Sequence, residues 1–276
     1  MSGTHMGETR RTVQKVHLAP LWSVIGGAVG LIALTATDGL STFGWIAGLL
    51  YLGVSNALLA RGLRRRGATR FGPANIATAT RSTLVGLITA LVATSLTEPV
   101  SVPLLIGLTV PALALDAVDG WLARRTRTAT ELGARFDMEV DAFLILALSV
   151  FVSRELGAWV LALGLMRYAY VAAGWLMPWL RTTVPPRHWR KVVAAIAGIA
   201  LTVAASDLLP LRVDDVVTLI ALALLIESFG RDIVWQFGAH RAVRHSQPKG
   251  IAPTRTPTSS ITSERIPTAP STMLIM

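Results

Sequence analysis

The 276-residue chain contains no cysteine. Disulfide staples, thiolate zinc sites and cysteine nucleophiles are therefore excluded, and any metal must be held by oxygen or imidazole. Oxygen donors favour hard cations such as Mg2+. Charge is also scarce. Only 15% of residues are charged while 52% are hydrophobic, mean hydropathy is +0.55, and an ordinary soluble domain carries about 25% charged residues. That balance argues against a soluble globular enzyme. Acidic charge is the scarcer sign, with 16 Asp and Glu against 26 Lys and Arg for a formal net charge of +10. In a water-soluble chain this excess would point to nucleic acid. Here the basic residues fall between long apolar runs, which is the pattern of membrane topology, and no nucleic-acid partner is expected.

A bilayer core needs roughly 20 apolar residues as a helix. Eight runs meet that measure, near 19–37, 43–60, 80–97, 102–122, 136–153, 158–180, 192–209 and 213–235. The first run is followed directly by a second and lacks a small-residue cleavage motif, so it reads as a span rather than a leader. Lys and Arg concentrate in alternate connectors: the N-terminal arm (Arg10, Arg11, Lys15), residues 61–70, residues 124–135, residues 181–191 and the C-terminal tail. The intervening connectors hold only Arg154 and Arg212 beside Asp38, Glu98, Glu155, Asp207, Asp214 and Asp215. The expected fold is an all-α membrane protein with eight spans and both termini cytoplasmic. Residues 1–18 form a cytoplasmic arm. From about Gln247 the chain turns to Pro, Thr and Ser, a composition too poor in apolar surface to offset the entropy of ordering, and 241–276 is expected to be a disordered cytoplasmic tail. Gly26 and Gly30 make a GxxxG in the first run, either a site of close helix approach or a glycine-rich span without a partner.

Around the fourth and fifth runs the chain reads LDAVDGWLARRTRTATELGARFDMEVDAF. Asp116, Asp119, Asp137 and Asp141 then lie at membrane depth or its cytoplasmic edge, where a carboxylate costs about 2.5–3.5 kcal/mol even on the lenient insertion scale. Asp116 and Asp119 are three apart, and Asp137 and Asp141 four apart, so each pair shares a helix face. If the helices are neighbours, four carboxylates converge. Two compensations present themselves. Arg124, Arg125, Arg127 and Arg135 can neutralise the acids, although arginines at a helix end snorkel to water more readily. The better fit is a pair of divalent cations about 3.5–4 Å apart, an arrangement that serves displacement at phosphorus. The substrate would then be a phosphate or diphosphate, attracted once metals invert the sign of the pocket.

The pattern Asp116-x2-Asp119-Gly120-x2-Ala123-Arg124-x8-Gly133-x3-Asp137-x3-Asp141 resembles in full the motif of the CDP-alcohol phosphotransferases, integral membrane enzymes of phospholipid synthesis. Upstream, Asn75-x2-Thr78-x2-Arg81 is similar to the start of that family's first core helix. The resemblance implies a six-helix transmembrane core over 70–240, preceded by two additional transmembrane helices in 19–69. It implies that Asp116, Asp119, Asp137 and Asp141 ligate two Mg2+ or Mn2+ ions, with Asp141 also the general base toward the acceptor hydroxyl. It places Gly120, Ala123, Arg124, Thr130 and Gly133 along the CDP diphosphate and ribose, and Asn75 and Thr78 near the cytidine. The implied reaction moves a phosphatidyl group from CDP-diacylglycerol to a polar alcohol and releases CMP, in a homodimer at the cell membrane with its site facing the cytoplasm. After Asp141 the chain reads AFLIL, where many bacterial phosphatidylglycerophosphate and phosphatidylserine synthases carry a lysine, which argues against those two branches.

Arg167 lies inside the sixth run, where an intramembrane arginine is either a contact for an anionic acceptor or half of an ion pair, with Glu227 as a candidate partner. Arg187, Arg190 and Lys191 at the cytoplasmic start of the seventh run are candidate acceptor contacts, although positive-inside topology accounts for them equally. Glu139 faces away from the aspartates on helical geometry. Two other functions stay open at this stage: an aminoalcohol-type transferase with a CDP-alcohol donor and diacylglycerol acceptor, and a cation transporter lined by the aspartates, against which stands the lack of a duplicated aspartate motif.

Overall fold

A computed structural model describes residues 23–66, 73–126, 131–181 and 188–246; side chains at 62–76, 119–135, 178, 181–188 and 242–246 lie outside that description. Among the described residues every regular element is a helix and none is a strand. The order is α1 (Ser23–Asp38), α2 (Thr42–Arg66), α3 (Pro73–Ser95), α4 (Val102–Thr126), α5 (Glu131–Leu156), α6 (Leu161–Leu176), α7 (His188–Ala205) and α8 (Leu211–Ser246). Short 3-10 turns at Ala158–Val160 and Pro178–Arg181 flank α6.

Each of the eight apolar runs is thus a helix, and several extend past the run. By length and composition α2, α3 and the segment Ala158–Leu176 are long and apolar enough to cross a membrane, while α1 and Val102–Val118 are shorter apolar helices. The other three mix apolar stretches with charge, α5 at its start through Arg135, Asp137, Glu139 and Asp141. At 36 residues α8 is about 54 Å long at 1.5 Å per residue, well beyond a hydrocarbon core of about 30 Å. Its end, Ser246, lies past the residue where the tail was expected to begin.

Helices α3 and α5 occupy the middle. The first packs against α2, α4 and α5, the second against α3, α6 and α7, and α7 joins α4 and α8. Val85, Ile88 and Leu91 of α3, Leu105 of α4, Leu148 of α5 and Leu201 of α7 are fully buried in one shared core. Five of the hydroxyls inside this apolar surrounding are satisfied locally, whereas that of the buried Thr218 has no partner among the described residues. Thr83, Thr89, Thr109, Ser149 and Thr202 each donate to the carbonyl one turn back, so none of these five is left unpaired in a solvent that cannot pair it.

The turn from α1 to α2 uses Gly39 at φ +68°, a left-handed conformation that glycine adopts without a Cβ clash. Ser41 caps α2, its hydroxyl accepting from the Gly44 amide at 3.1 Å. The Ser101 amide donates to Asp38 Oδ2 at 2.9 Å, which ties the α1–α2 corner to the start of α4. Of the two GxxxG glycines only Gly30 is a close-approach site, with Leu87 of α3 against it; Gly26 has open space, and Gly27 instead admits Leu52. Gly44, Gly48 and Gly86 continue the seam, so α1 and α2 lie close on α3.

The tightest approach to backbone is at α5–α6, where a Cβ on Gly164 would stand 2.5 Å from Leu146 Cα. Backbone cannot swing aside as a leucine tip can. Gly164→Ala is therefore expected to cost about 1–3 kcal/mol, read as a lowered midpoint in thermal unfolding of the detergent-solubilised protein, whereas Gly26→Ala should leave the midpoint unchanged.

Candidate active site

Three helices bring charge to one point. Asp116 sits near the end of α4, Asp137 and Asp141 lie on consecutive turns near the start of α5, and Arg81 enters from α3. One carboxylate oxygen from each of Asp116, Asp137 and Asp141 lies within 4.8 Å of the others. This is the convergence expected from the i, i+4 spacing within α5 and from adjacency of the two helices. Arg81 lies beneath them with its side chain 1% exposed, while those of Asp116, Asp137 and Asp141 are 35%, 17% and 30% exposed. Its Nη1 donates to Asp116 Oδ1 at 2.5 Å. Its Nη2 donates to the Asp137 carbonyl at 3.0 Å and lies 2.6 Å from Asp137 Oδ1 and 3.2 Å from Asp141 Oδ1.

Arg81 is the residue that sequence reasoning missed. It was noted only as the last position of Asn75-x2-Thr78-x2-Arg81, at the edge of the expected third span, where a lone arginine reads as a topological charge. The arginines expected to compete for the acids, Arg124, Arg125, Arg127 and Arg135, have side chains outside the described residues. Neutralisation by arginine is nonetheless present, from a different helix, and it is partial. Three carboxylates meet one guanidinium, which leaves carboxylate in excess of arginine.

That remainder suits a divalent cation, and so does the donor set, which is all oxygen. Asp137 Oδ1 is buried and, despite its nearness to Arg81, accepts no well-formed hydrogen bond. A buried carboxylate oxygen that is ion-paired on one side and faces two other carboxylates has lone-pair capacity left for an oxygen-coordinating metal. The residues present therefore fit the metal that the motif implies.

Beside the cluster is a cavity of about 150 Å3 between α4, α5 and α7. Asp116, Asp141 and Lys191 line its polar part, and Leu113, Ile145 and Ile199 are among the residues of its apolar walls. A group with an anionic head and a hydrocarbon tail meets matching surfaces there. Among the described residues Lys191 supplies the one basic side chain lining it.

The other expected site residues divide three ways. Lys191 is brought to the cavity, and Thr78, partly buried, lies on α3 one turn before Arg81. Asn75, Asp119, Gly120, Ala123, Arg124 and Gly133 are on helices α3, α4 and α5, but their side chains lie outside the described residues, as do Thr130 and Arg187 altogether. Arg167 and Arg190 are engaged elsewhere. The Arg167 guanidinium donates to Glu139, on a face of α5 turned from the aspartates, and Glu227 instead pairs with Arg231 at 2.9 Å and accepts from Trp189 Nε1 at 2.9 Å. Arg190 Nη1 donates to the buried Asp232 at 3.0 Å. Next to it Tyr170 donates to Gln236 Oε1 at 2.7 Å, and Gln236 donates to the Leu180 carbonyl at 2.9 Å, a polar knot that locks α6, α7 and α8.

Compared with known proteins, residues 71–227, more than half of the chain, match the family model described as CDP-alcohol phosphatidyltransferase. No curated protein and no solved structure matches the chain significantly. The matched span begins just before α3 and ends within α8. It includes Arg81 and all four motif aspartates and leaves out α1 and α2.

Proposed function

The chain belongs to the CDP-alcohol phosphatidyltransferase family, and on that premise we propose that it transfers a phosphatidyl group from CDP-diacylglycerol to a polar alcohol, a polyol or polyol phosphate, with release of CMP. The family is one of membrane transferases of phospholipid synthesis that use a CDP-alcohol donor and an alcohol acceptor and in general require a divalent metal. The observation that carries the finer reading is the position of the carboxylates: three of the four motif aspartates converge, and two of them, Asp116 and Asp141, line an apolar-walled cavity. A diphosphate seats at the charged end while an acyl chain finds hydrocarbon at the other.

In this reading Asp116, Asp119, Asp137 and Asp141 hold two Mg2+ ions. Bound there, the metals supply charge neutralisation to the diphosphate and to the departing CMP phosphate. The chain does the rest. Arg81 holds the carboxylates from below at fixed spacing. Asp141, which lines the cavity, accepts the proton of the acceptor hydroxyl as its oxygen bonds to the lipid phosphorus and the bond from that phosphorus to the CMP oxygen breaks. Gly120, Ala123, Arg124, Thr130 and Gly133 border the diphosphate and ribose, with Asn75 and Thr78 toward the cytidine. Lys191, with Arg187 four positions before it in sequence, draws an anionic acceptor. The enzyme is a multi-pass homodimer of the cell membrane with eight spans, and its site opens to the cytoplasm.

The test is CMP release from CDP-diacylglycerol by the purified full chain with Mg2+, run against glycerol 3-phosphate, inositol, inositol 1-phosphate and serine. Release that depends on one acceptor is the expected result. Failure with every one of them, together with turnover of CDP-choline and diacylglycerol, would establish the inverse lipid assignment instead.

A further inference from the structure

The match to the family stops short of α1 and α2, yet α2 reaches toward the aspartate cluster. Ser55 of α2 and Ser82 of α3 are both buried and share a hydrogen bond of 2.5 Å. Tyr51 lies one turn before Ser55, so the two share a face of α2. The Tyr51 ring packs on Phe143, two residues beyond Asp141, with centroids 4.6 Å apart. Its edge and Leu52 fill the space above Gly86, where a side chain would clash. Helix α2 thus grips α3 next to Arg81 and α5 next to Asp141 with a single turn.

We propose that α2 is a working wall of the active site: Ser55, through Ser82, and Tyr51, through Phe143 and the face of α3 at Gly86, are positioning residues that hold α3 and α5 so that Arg81 stays aimed at Asp116, Asp137 and Asp141. The Ser55 and Ser82 hydroxyls lie in an apolar seam with few other partners, so each has strong reason to keep this geometry. Arg81 Nε is buried with no acceptor. The aim of this guanidinium is therefore set by its two Nη groups and by how its helix is held, not by a further anchor on the side chain. Loosening α2 leaves every charge of the cluster in place and relaxes only the spacing of the carboxylates, so a cation must then gather ligands that were pre-arranged.

The inference rests on the metal-holding role given to the aspartates above, and the experiment separates the two. Mn2+ alone is titrated into the full chain in detergent, with binding followed by loss of its free paramagnetic resonance signal and no substrate present. Three variants are compared with the unaltered protein: Tyr51→Leu, which removes the ring that packs on Phe143, Ser55→Ala and Ser41→Ala. The last removes a hydrogen bond of the same kind between the same two helices, from the Ser41 hydroxyl to Thr94, about 20 Å further along α3 from Arg81. Tyr51→Leu and Ser55→Ala are each expected to weaken Mn2+ binding about 3- to 10-fold, and Ser41→Ala to leave it unchanged even if it lowers the unfolding midpoint. In turnover, the first two should raise the Mn2+ concentration needed for half-maximal rate while KM for the lipid donor stays fixed. Equal binding in all four proteins, or an equal loss in all three variants, overturns the positioning role and leaves the family reaction standing. Absence of Mn2+ binding in the unaltered protein overturns the metal reading and this inference with it.

Discussion

Asp141→Asn is expected to lower the rate of CMP release by about 10^3-fold or more while the protein stays folded. The substitution keeps the size of the side chain and removes its charge, so the general base is lost, a contribution of about 10^2- to 10^4-fold on its own, together with one oxygen of the cluster. Stability should change little, because Asp141 is the most distant of the three partners of Arg81, at 3.2 Å against 2.5 Å and 2.6 Å. With Asp116 and Asp137 still in place the guanidinium remains paired on both Nη groups. The same assay on Glu139→Gln gives the contrast. Glu139 is only two residues away but pairs with Arg167 on another face, and its loss should leave the rate within about twofold, since exposed pairs contribute little. Activity within tenfold of the unaltered protein in Asp141→Asn would remove the base from the account.

Arg81→Ala is expected to be the most destabilising single substitution in the site, by about 3 kcal/mol. Removing one partner of a buried ion pair costs roughly 3–5 kcal/mol because the other partners stay buried without compensation. Here the arginine is fully buried but Asp116 and Asp141 are about a third exposed, so water screens part of the penalty and the lower end applies. Arg81→Lys keeps the charge and loses the planar fork that spans Asp116 on α4 and Asp137 on α5, and it should fall between the two. Denaturation in detergent with divalent cations chelated measures this directly. Equal midpoints for Arg81→Ala and the unaltered protein would mean that the guanidinium contributes no net stability where it stands.

The outline of this molecule was legible because lipid imposes strong rules on sequence. Eight apolar runs predict eight helices, since a backbone in hydrocarbon must satisfy its own hydrogen bonds, and each run is helical. The aspartates stood out for the complementary reason, that four carboxylates where hydrocarbon penalises them must have a task. Arg81 did not stand out, because an arginine near the edge of a span looks the same whether it snorkels to water or turns inward to three acids. Its inward turn depends on α4 and α5 closing around α3, and spacing along one helix carries no information about that. The ion-pair partner of Arg167 was misplaced for a related reason. It was sought on α8, but α6 lies beside α5, which puts Glu139 within reach. The bracing by Tyr51 and Ser55 was equally hidden, since serine and tyrosine in an apolar run signal nothing until the facing helix is known.

The most direct measurement of the central claim is CMP release from CDP-diacylglycerol by the purified full chain, with the accepting alcohol present, as divalent metal is removed and restored. The account predicts that chelation abolishes release, that Mg2+ restores it along a saturable curve, and that Asp116→Asn and Asp137→Asn fail to recover at any Mg2+ concentration. Release that continues undiminished under chelation, or that survives loss of either aspartate, would contradict it.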